Sequence, residues 1–276
     1  MQEAVIRRHL DWFASRKVSP NSIAIRRQTL QRLSTWAQGP ILYLTPQDLA
    51  RWQEYRATHL SAASLRAEIT QVQQFYIWAV RDDLLQADPS ALLSKPRARR
   101  TLPRPADDSM IRACLAAAEP SDKLIFALSA LAGLRAAEIA GLTWASVDLP
   151  GRRLMVTGKG GRDRVVPISS SLAGYLEAAP PPHRGPVIRR QDGRPGHTAP
   201  SRVGQRAGYV FRMLGYDGAR LHMCRHRLAT RALEACHDVR VVQEILGHAE
   251  LSTTATYTHV STASRLDAVE AAGSLG

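Results

Sequence analysis

The sequence predicts a mainly α-helical protein with one small β-hairpin, divided into two domains. Apolar residues recur at helical spacing through most of the 276 residues. Two short β-type runs, RRLMVT and RVVPI, are joined by the glycine-rich GKGGRD, as in a hairpin. The proline-rich segment SKPRARRTLPRPA interrupts the helical pattern. We therefore expect a helical domain over 1–93, a linker over 94–106 and a mixed α/β domain over 107–276, each domain with its own core.

Hydroxyl side chains followed by prolines mark helix starts in the N-terminal domain. Ser19 precedes Pro20 and Thr45 precedes Pro46, so each pair supplies an N-cap and a first helical residue. The longest pattern begins near Ser61 and repeats apolar and aromatic residues on one face. The helices predicted for this domain cover about 2–17, 20–38, 45–58 and 61–84.

The C-terminal domain alternates helical patterns with the hairpin. The hairpin strands are predicted at 152–157 and 164–168, and the irregular segment 180–198 offers one further short strand at Val187–Ile188. The helices predicted here cover about 107–118, 121–132, 135–142, 169–178, 199–214, 222–235, 239–246, 252–258 and 264–272.

The charge balance indicates a polyanionic partner. The formal net charge is +13, with 15 basic against 8 acidic residues in 1–100 (+7) and 22 against 16 in 101–276 (+6). Both halves are positive, as expected if both touch a nucleic acid, although a basic surface without a partner is the alternative. No apolar run reaches the roughly 18 residues of a membrane span, and the N-terminus does not read as a signal peptide. We expect a cytoplasmic protein with no membrane contact.

The cysteine pattern argues against disulfides and against a metal site. Cys114, Cys224 and Cys236 form no CxxC pair, and an odd, sparse count is typical of a reducing compartment. Histidines near Cys224 and Cys236 match no zinc-ligand spacing, so no metal is predicted.

Basic side chains far apart in the chain suit the handling of a phosphodiester. His222 and Arg225 are three residues apart at a helix start, which places them on one face. A further arginine, Arg135, follows a Gly-Leu turn. The planar guanidinium binds two phosphate oxygens at once and stays charged. For either arginine alone a structural ion pair remains the alternative, for example between Arg135 and Glu138.

A proton donor and a nucleophile complete this chemistry. Lys159 lies at the tip of the hairpin, and lysine can protonate a departing 5′ oxygen where arginine cannot. His222 and His248 can donate hydrogen bonds or exchange protons near neutral pH. Tyr257 lies nine residues beyond His248 and is the candidate nucleophile, activated by cations or by a proton acceptor such as His222.

The linker carries a cluster of basic residues that could follow DNA phosphates, and a solvated hinge is the alternative. These residues are Lys95, Arg97, Arg99, Arg100 and Arg104.

The blocks GLRAAEIAGLTW, the lysine-bearing hairpin, HMCRHRLAT and LGHAELSTTATY, in this order, resemble the tyrosine recombinases of the integrase family. The resemblance covers the chain from about residue 103 onward and, more loosely, the helical N-terminal part. It implies a C-shaped clamp, in which a helical core-binding domain and a mixed α/β catalytic domain grip opposite sides of a DNA duplex.

The resemblance also implies the roles of the candidate residues. Tyr257 would attack the scissile phosphate, leaving a 3′-phosphotyrosyl link and a free 5′-hydroxyl, and Glu138 would support the pocket. The residues that it places around the phosphate are Arg135, Lys159, His222, Arg225 and His248. The covalent link retains the free energy of the phosphodiester, so that neither cofactor, metal nor ATP is expected.

The resemblance further implies double-stranded DNA as partner and a homotetramer on DNA that is a monomer or weak dimer when free. The segment 264–272 is an amphipathic helix that either docks on a neighbouring protomer or packs on its own domain.

Several functional alternatives stay open. The chain begins almost directly at core-binding helices, without an arm-binding domain, and its tail lacks the ending typical of Xer resolvases. We therefore expect an integrase of a phage or other mobile element, with a Xer-type resolvase as the alternative. A non-catalytic helical DNA-binding regulator and a type IB topoisomerase are the remaining hypotheses.

Overall fold

A computed structural model describes residues 2–97, 105–158, 161, 163–247 and 262–273. The chain divides into an N-terminal unit, Met1–Thr101, and a C-terminal unit, Leu102–Gly276. The division falls between the two predicted domains, within the segment 94–106.

The described part of the N-terminal unit is helical. Its helices are α1 (Gln2–Ser15), α2 (Pro20–Ala37), α3 (Pro46–Ala57) and α4 (Ala62–Arg81), with a 3₁₀ turn at Ile41–Tyr43. The predicted helix starts are confirmed. Ser19 Oγ accepts from the Ser22 N–H at 3.1 Å, and Thr45 and Asp48 exchange hydrogen bonds in a capping box.

Aromatic residues fill the core of this unit, as their helical spacing predicts. Trp52, Phe75 and Tyr76 are completely buried, and the Tyr76 hydroxyl donates to the Ile41 carbonyl at 2.6 Å. Burial of each large ring contributes on the order of 2–3 kcal/mol of transfer free energy. These rings belong to the core and do not form an exposed surface for stacking on bases.

The C-terminal unit surrounds helix α6, in which every residue from Leu124 to Leu131 is buried. Helices α5, α8, α9, α10 and α12 all pack against it or against its neighbours. The helices in the described part of this unit are α5 (Asp108–Ala117), α6 (Pro120–Leu131), α7 (Ala136–Gly141), α8 (Ser170–Glu177), α9 (Pro200–Met213), α10 (Leu221–Cys236), α11 (Val239–Leu246) and α12 (Thr262–Gly273).

The predicted hairpin is part of a three-stranded antiparallel sheet with the order β1-β2-β3. Strands β2 (Arg153–Thr157) and β3 (Asp163–Pro167) pair as expected, with Leu154 opposite Val166. Strand β1 (Val147–Asp148) was not predicted, because two residues are too short to show alternation.

The short strand predicted at Val187–Ile188 is wrong. Both side chains are buried, but the segment forms only an isolated bridge between Thr143 and Pro186, and the Val187 N–H donates to Leu142 at 2.9 Å. The two apolar residues are buried in a loop. Over so few residues, a buried loop and a buried strand have the same apolar pattern. The helix predicted at 252–258 lies outside the described residues.

Helix α12 packs within the C-terminal unit. Its buried residues Ala268, Val269 and Ala272 contact α10 and α11, and the Arg227 guanidinium donates to the Ala272 carbonyl at 2.7 Å. This is the second of the two arrangements expected for the C-terminal helix. No helix in the described part of the chain has the length and hydropathy needed to cross a membrane.

Candidate active site

Arg135 lies at the N-cap of α7, after the turn that Gly133 makes at φ +66°. Its backbone N–H donates to Glu138 Oε2 at 2.8 Å, which satisfies one of the unpaired groups at the helix start. Its guanidinium donates from Nη1 to Glu138 Oε1 at 3.0 Å, and its side chain remains 39% exposed. The ion pair that sequence spacing allowed is therefore present, and the arginine still faces solvent.

Arg225 lies in the first turn of α10 and is almost completely buried. Its Nη2 donates to the Leu246 carbonyl at 2.7 Å, and its Nη1 donates to the Gly133 carbonyl. Burial and then the charge of Arg135 lower the pKa of Arg225 to about 10, so it remains protonated at neutral pH. Arg225 thus joins the turn before Arg135 to the end of α11.

Glu138 is the anionic centre of this cluster. Its carboxylate is 4% exposed and accepts hydrogen bonds from Arg135 and Arg164, with Arg225 Nη1 at 3.9 Å from Oε2. Burial alone would raise the pKa of Glu138, but the hydrogen bonds from Arg164 and the Arg135 backbone, with the two charges, hold that pKa below its ordinary value. One carboxylate surrounded by three guanidinium groups leaves a local excess of positive charge.

Arg164 is the member of the cluster that sequence reasoning missed. Its Nη1 and Nη2 donate to the two oxygens of Glu138 at 2.8 and 3.1 Å, and its Nε donates to the Ile245 carbonyl at 3.3 Å. One signal was available, because period-two alternation puts Arg164 on the same face of β3 as the buried Val166. A charged residue on the buried face of a strand calls for a partner.

His222 stands one turn from Arg225 on α10, as the i, i+3 spacing predicted, and it is exposed whereas Arg225 is buried. Its ring lies 4.3 Å from the ring of His226 in an edge-to-face arrangement. Burial and the charge of Arg225 lower the pKa of His226, which favours a neutral ring beside the cluster. The structure therefore brings together Arg135, Glu138 and Arg225, with His222 one turn before Arg225 on α10.

Three of the predicted site residues, Lys159, His248 and Tyr257, lie outside the described residues. Of the basic linker residues, Lys95 and Arg97 are described and exposed. The other three, Arg99, Arg100 and Arg104, also lie outside the described part.

The arrangement can bind an oxyanion. Fixed donors held in place before the reaction stabilise negative charge that develops on phosphate oxygens. Arg135 offers a side chain that is 39% exposed, and its Nη1 donates to Glu138. Arg225 lies behind it, with Nη1 and Nη2 donating to the Gly133 and Leu246 carbonyls. Such a site suits phosphoryl transfer, in which positioning and charge stabilisation do most of the work.

A second candidate site is a polar groove of about 740 Å³ on the N-terminal unit. The exposed face of α2 contributes Gln28, Gln31 and Thr35 to one wall, and α3 contributes Tyr55 and Arg56. Glutamine amides can read the major-groove edge of adenine with two hydrogen bonds. The sequence gives no signal for this groove, because its two walls come from different helices, α2 and α3.

Comparisons with known proteins identify the family and the fold. The model of the phage integrase family matches residues 107–264. The tyrosine recombinase XerC of Xylella fastidiosa (strain 9a5c) is 32% identical over 273 residues, covering 91% of both chains. The solved integrase from mycobacterium phage Brujita is 25% identical with a TM-score of 0.54, covering 98% of this chain and 92% of that one. A lambda integrase tetramer bound to a Holliday junction has the same fold, with 15% identity, a TM-score of 0.69, and 94% and 80% coverage.

Proposed function

This chain belongs to the phage integrase family of tyrosine recombinases and is a site-specific DNA recombinase, and on that premise we propose that Tyr257 is its nucleophile. The residues that we assign to the pocket around the scissile phosphate are Arg135, Lys159, His222, Arg225 and His248. The observation that carries the proposal is the cluster in which Arg135 and Arg225 converge on Glu138 from separate helices.

The proposed cleavage step is a phosphoryl transfer from the 5′ oxygen of the DNA to Tyr257. The Tyr257 oxygen forms a bond to phosphorus while the bond to the 5′ oxygen breaks. The phenol proton passes to His222, and Lys159 protonates the departing oxygen. The arginines stabilise the charge on the non-bridging oxygens. A 5′-hydroxyl from another strand then attacks the phosphotyrosyl link and gives its proton to Lys159, while the departing Tyr257 oxygen takes its proton back from His222.

The working assembly that we propose is a homotetramer on two double-stranded DNA sites; the lambda integrase of the same fold forms a tetramer bound to a Holliday junction. Two duplexes carry four strands, so a complete exchange uses four nucleophiles. The basic charge of both halves of the chain supports extended contact with phosphates, and we propose that Lys95 and Arg97 contribute to it.

The biological setting that we propose is integration and excision of a phage or other mobile element. The phage Brujita integrase, which matches nearly the full length of this chain, supports this setting. Xer-type resolution is the second candidate, because the curated relatives include XerC and XerD recombinases.

Covalent capture tests the nucleophile. The protein would be incubated with sheared genomic DNA from its source organism, and DNA that stays bound in SDS would be sequenced at the attached end. We expect Tyr257→Phe to abolish capture and to retain DNA binding. Tyr209→Phe is the matched control, because Tyr209 is an exposed phenol on α9, and capture should be unchanged. Capture by Tyr257→Phe would contradict the assignment.

The captured sequences also separate the two settings. A repeated core on both sides of the gene that encodes this protein would support a mobile element. A single chromosomal site far from that gene would support the Xer-type alternative.

We also propose that the α2 face reads bases of the target site. Gln31→Ala should weaken binding to the captured sequence by about 1–3 kcal/mol and change binding to unrelated DNA much less. Gln86→Ala, an exposed glutamine outside the groove, is the control. Equal losses on both DNAs in a binding titration would assign Gln31 to the phosphates instead.

A further inference from the structure

Arg164 lies mostly buried behind the proposed phosphate pocket, and each nitrogen of its guanidinium donates to a protein acceptor. Its side chain is 13% exposed, whereas that of Arg135 is 39% exposed. All three of its nitrogens donate to Glu138 or to the Ile245 carbonyl. Arg135 is therefore placed to meet a phosphate, and Arg164 stands behind the carboxylate that holds Arg135.

The contact between Arg164 and Glu138 fixes the carboxylate in one orientation. A guanidinium fork that meets both carboxylate oxygens restricts rotation of the carboxylate plane, which a single-point contact cannot do. The same two oxygens accept from the backbone and side chain of Arg135 and face Arg225. A rotation of Glu138 would therefore move the groups that anchor Arg135.

The second contact of Arg164 reaches the end of α11. The last carbonyls of a helix have no intrahelical partner and carry the negative end of the helix dipole. Here the Ile245 carbonyl accepts from Arg164, and the Leu246 carbonyl accepts from Arg225 at 2.7 Å and Arg135 at 3.5 Å. Three arginines thus hold one helix end, directly before Gly247 and His248.

Close packing adds to this contact. Gly247 adopts φ +64°, and a Cβ atom at that position would lie 2.7 Å from Arg164 Cδ and 2.9 Å from Nε. The Arg164 side chain therefore passes across a backbone that has room for a glycine only. Strand β3, α7 and α11 meet at this one side chain.

We propose that Arg164 is a positioning residue for the cleavage step. It holds Glu138 and the end of α11 so that Arg135 stays aimed at the phosphate and Arg225 keeps its contacts with the turn before Arg135. This inference rests on the proposed function. It predicts that loss of Arg164 slows cleavage by bound enzyme and leaves DNA affinity nearly unchanged, since the Arg164 guanidinium donates to protein acceptors.

Single-turnover cleavage tests the proposal. The probe is a nicked suicide duplex built on the captured sequence, with protein in saturating excess. Arg164→Gln should lower the cleavage rate constant roughly 10-fold or more, by analogy with loss of a preorganised donor. The dissociation constant for the same duplex should stay within about three-fold. Arg164→Lys, which keeps the charge but not the fork, should recover part of the rate.

The matched control is Arg153→Gln on the neighbouring strand. Arg153 also pairs with a carboxylate, at 2.6 Å from Asp148, but its side chain is 60% exposed. Exposed pairs contribute little, and we expect the cleavage rate to stay within about two-fold. A thermal unfolding scan of each variant shows whether it is folded at the assay temperature.

A double-mutant cycle tests the route through Glu138. Because Arg164 also binds the Ile245 carbonyl, Arg164→Gln should keep some effect in a Glu138→Gln background, but a clearly smaller one than in the unsubstituted protein. Multiplying effects would overturn the proposal, as would an unchanged cleavage rate or a loss confined to affinity. If the unsubstituted protein forms no covalent complex with DNA, both the proposed function and this inference are wrong. If the unsubstituted protein forms the complex and Arg164→Gln cleaves equally fast, only this inference is wrong.

Discussion

Arg225 shows why a single residue type is required at this site. A buried guanidinium must satisfy several acceptors at once, and Arg225 donates to two carbonyls from separate segments while it faces Glu138. The ammonium of lysine would bring the same charge as a compact point. Shape and charge together therefore select arginine here.

Arg225→Lys should lower the cleavage rate roughly 100-fold with little change in DNA affinity, because one preorganised donor set is lost. It should also destabilise the fold by about 1–3 kcal/mol, since a buried carbonyl loses its partner. Single-turnover cleavage and urea unfolding measure the two effects. Arg212→Lys, an exposed site on α9, is the control, and an equal loss there would show that the effect is not specific to the pocket.

Residue-scale predictions from sequence were correct where the partners are near in the chain. The i, i+3 pairs Arg135–Glu138 and His222–Arg225 lie as spacing predicted. Arg164 was missed because its partner Glu138 lies 26 positions away, and nothing in 33 arginines distinguishes this one except strand alternation.

At the scale of elements, helix ends are placed by capping and by glycine. Pro20 and Pro46 begin their helices directly after hydroxyl caps, as predicted. Helix α11 ends at Leu246 because Gly247 takes the left-handed conformation at little steric cost. Strand β1 was not predicted because it has only two residues, which show no alternation pattern. It forms because it pairs with β2.

Gly247→Ala should slow cleavage more than a change that only strains the backbone. A left-handed alanine costs about 1 kcal/mol, and here its methyl group would also displace Arg164. We expect slower cleavage in the single-turnover assay.

Gly215→Ala separates these two effects. Gly215 has φ +76° and, for an added Cβ, no neighbouring atom within 4 Å in the described structure. This variant should lose comparable backbone stability and cleave at the parental rate. Equal cleavage by both variants would show that displacement of Arg164 has no consequence.

At the scale of the whole molecule, the two units differ in their response to acid. In the N-terminal unit, burial and the charge of Arg26 lower the pKa of His9 to about 3. The unfolded chain therefore binds a proton below about pH 6.5 that the folded unit excludes. In the C-terminal unit the pKa of Glu138 is depressed, so its contribution is present above about pH 4.5 and is lost only as pH falls through the lower folded value.

Acidification from pH 7 to 5 should thus destabilise the N-terminal unit by about 2 kcal/mol through His9. His226 shifts in the same direction in the other unit but keeps more of its ring in solvent. Urea unfolding followed by tryptophan fluorescence reports mainly the N-terminal unit, which holds four of the five tryptophans: Trp12, Trp36, Trp52 and Trp78.

His9→Gln should flatten this dependence on pH, whereas His59→Gln, at an exposed site, should leave it unchanged. A steep dependence that survives His9→Gln would assign the proton uptake to another group.

The sequence by itself determined the helices, the hairpin, the basic character of both halves and the residue types suited to phosphodiester chemistry. These features depend on periodicity, capping and charge, which act over a few neighbouring residues. Only the tertiary structure decided that Arg164 holds Glu138, that arginines bind the end of α11, and that α2 and α3 enclose a polar groove. The hydrogen-bond acceptors of Arg164 lie 26 and 81 positions away in the chain. Only the packing of the folded chain determines which of many such distant residues become its partners.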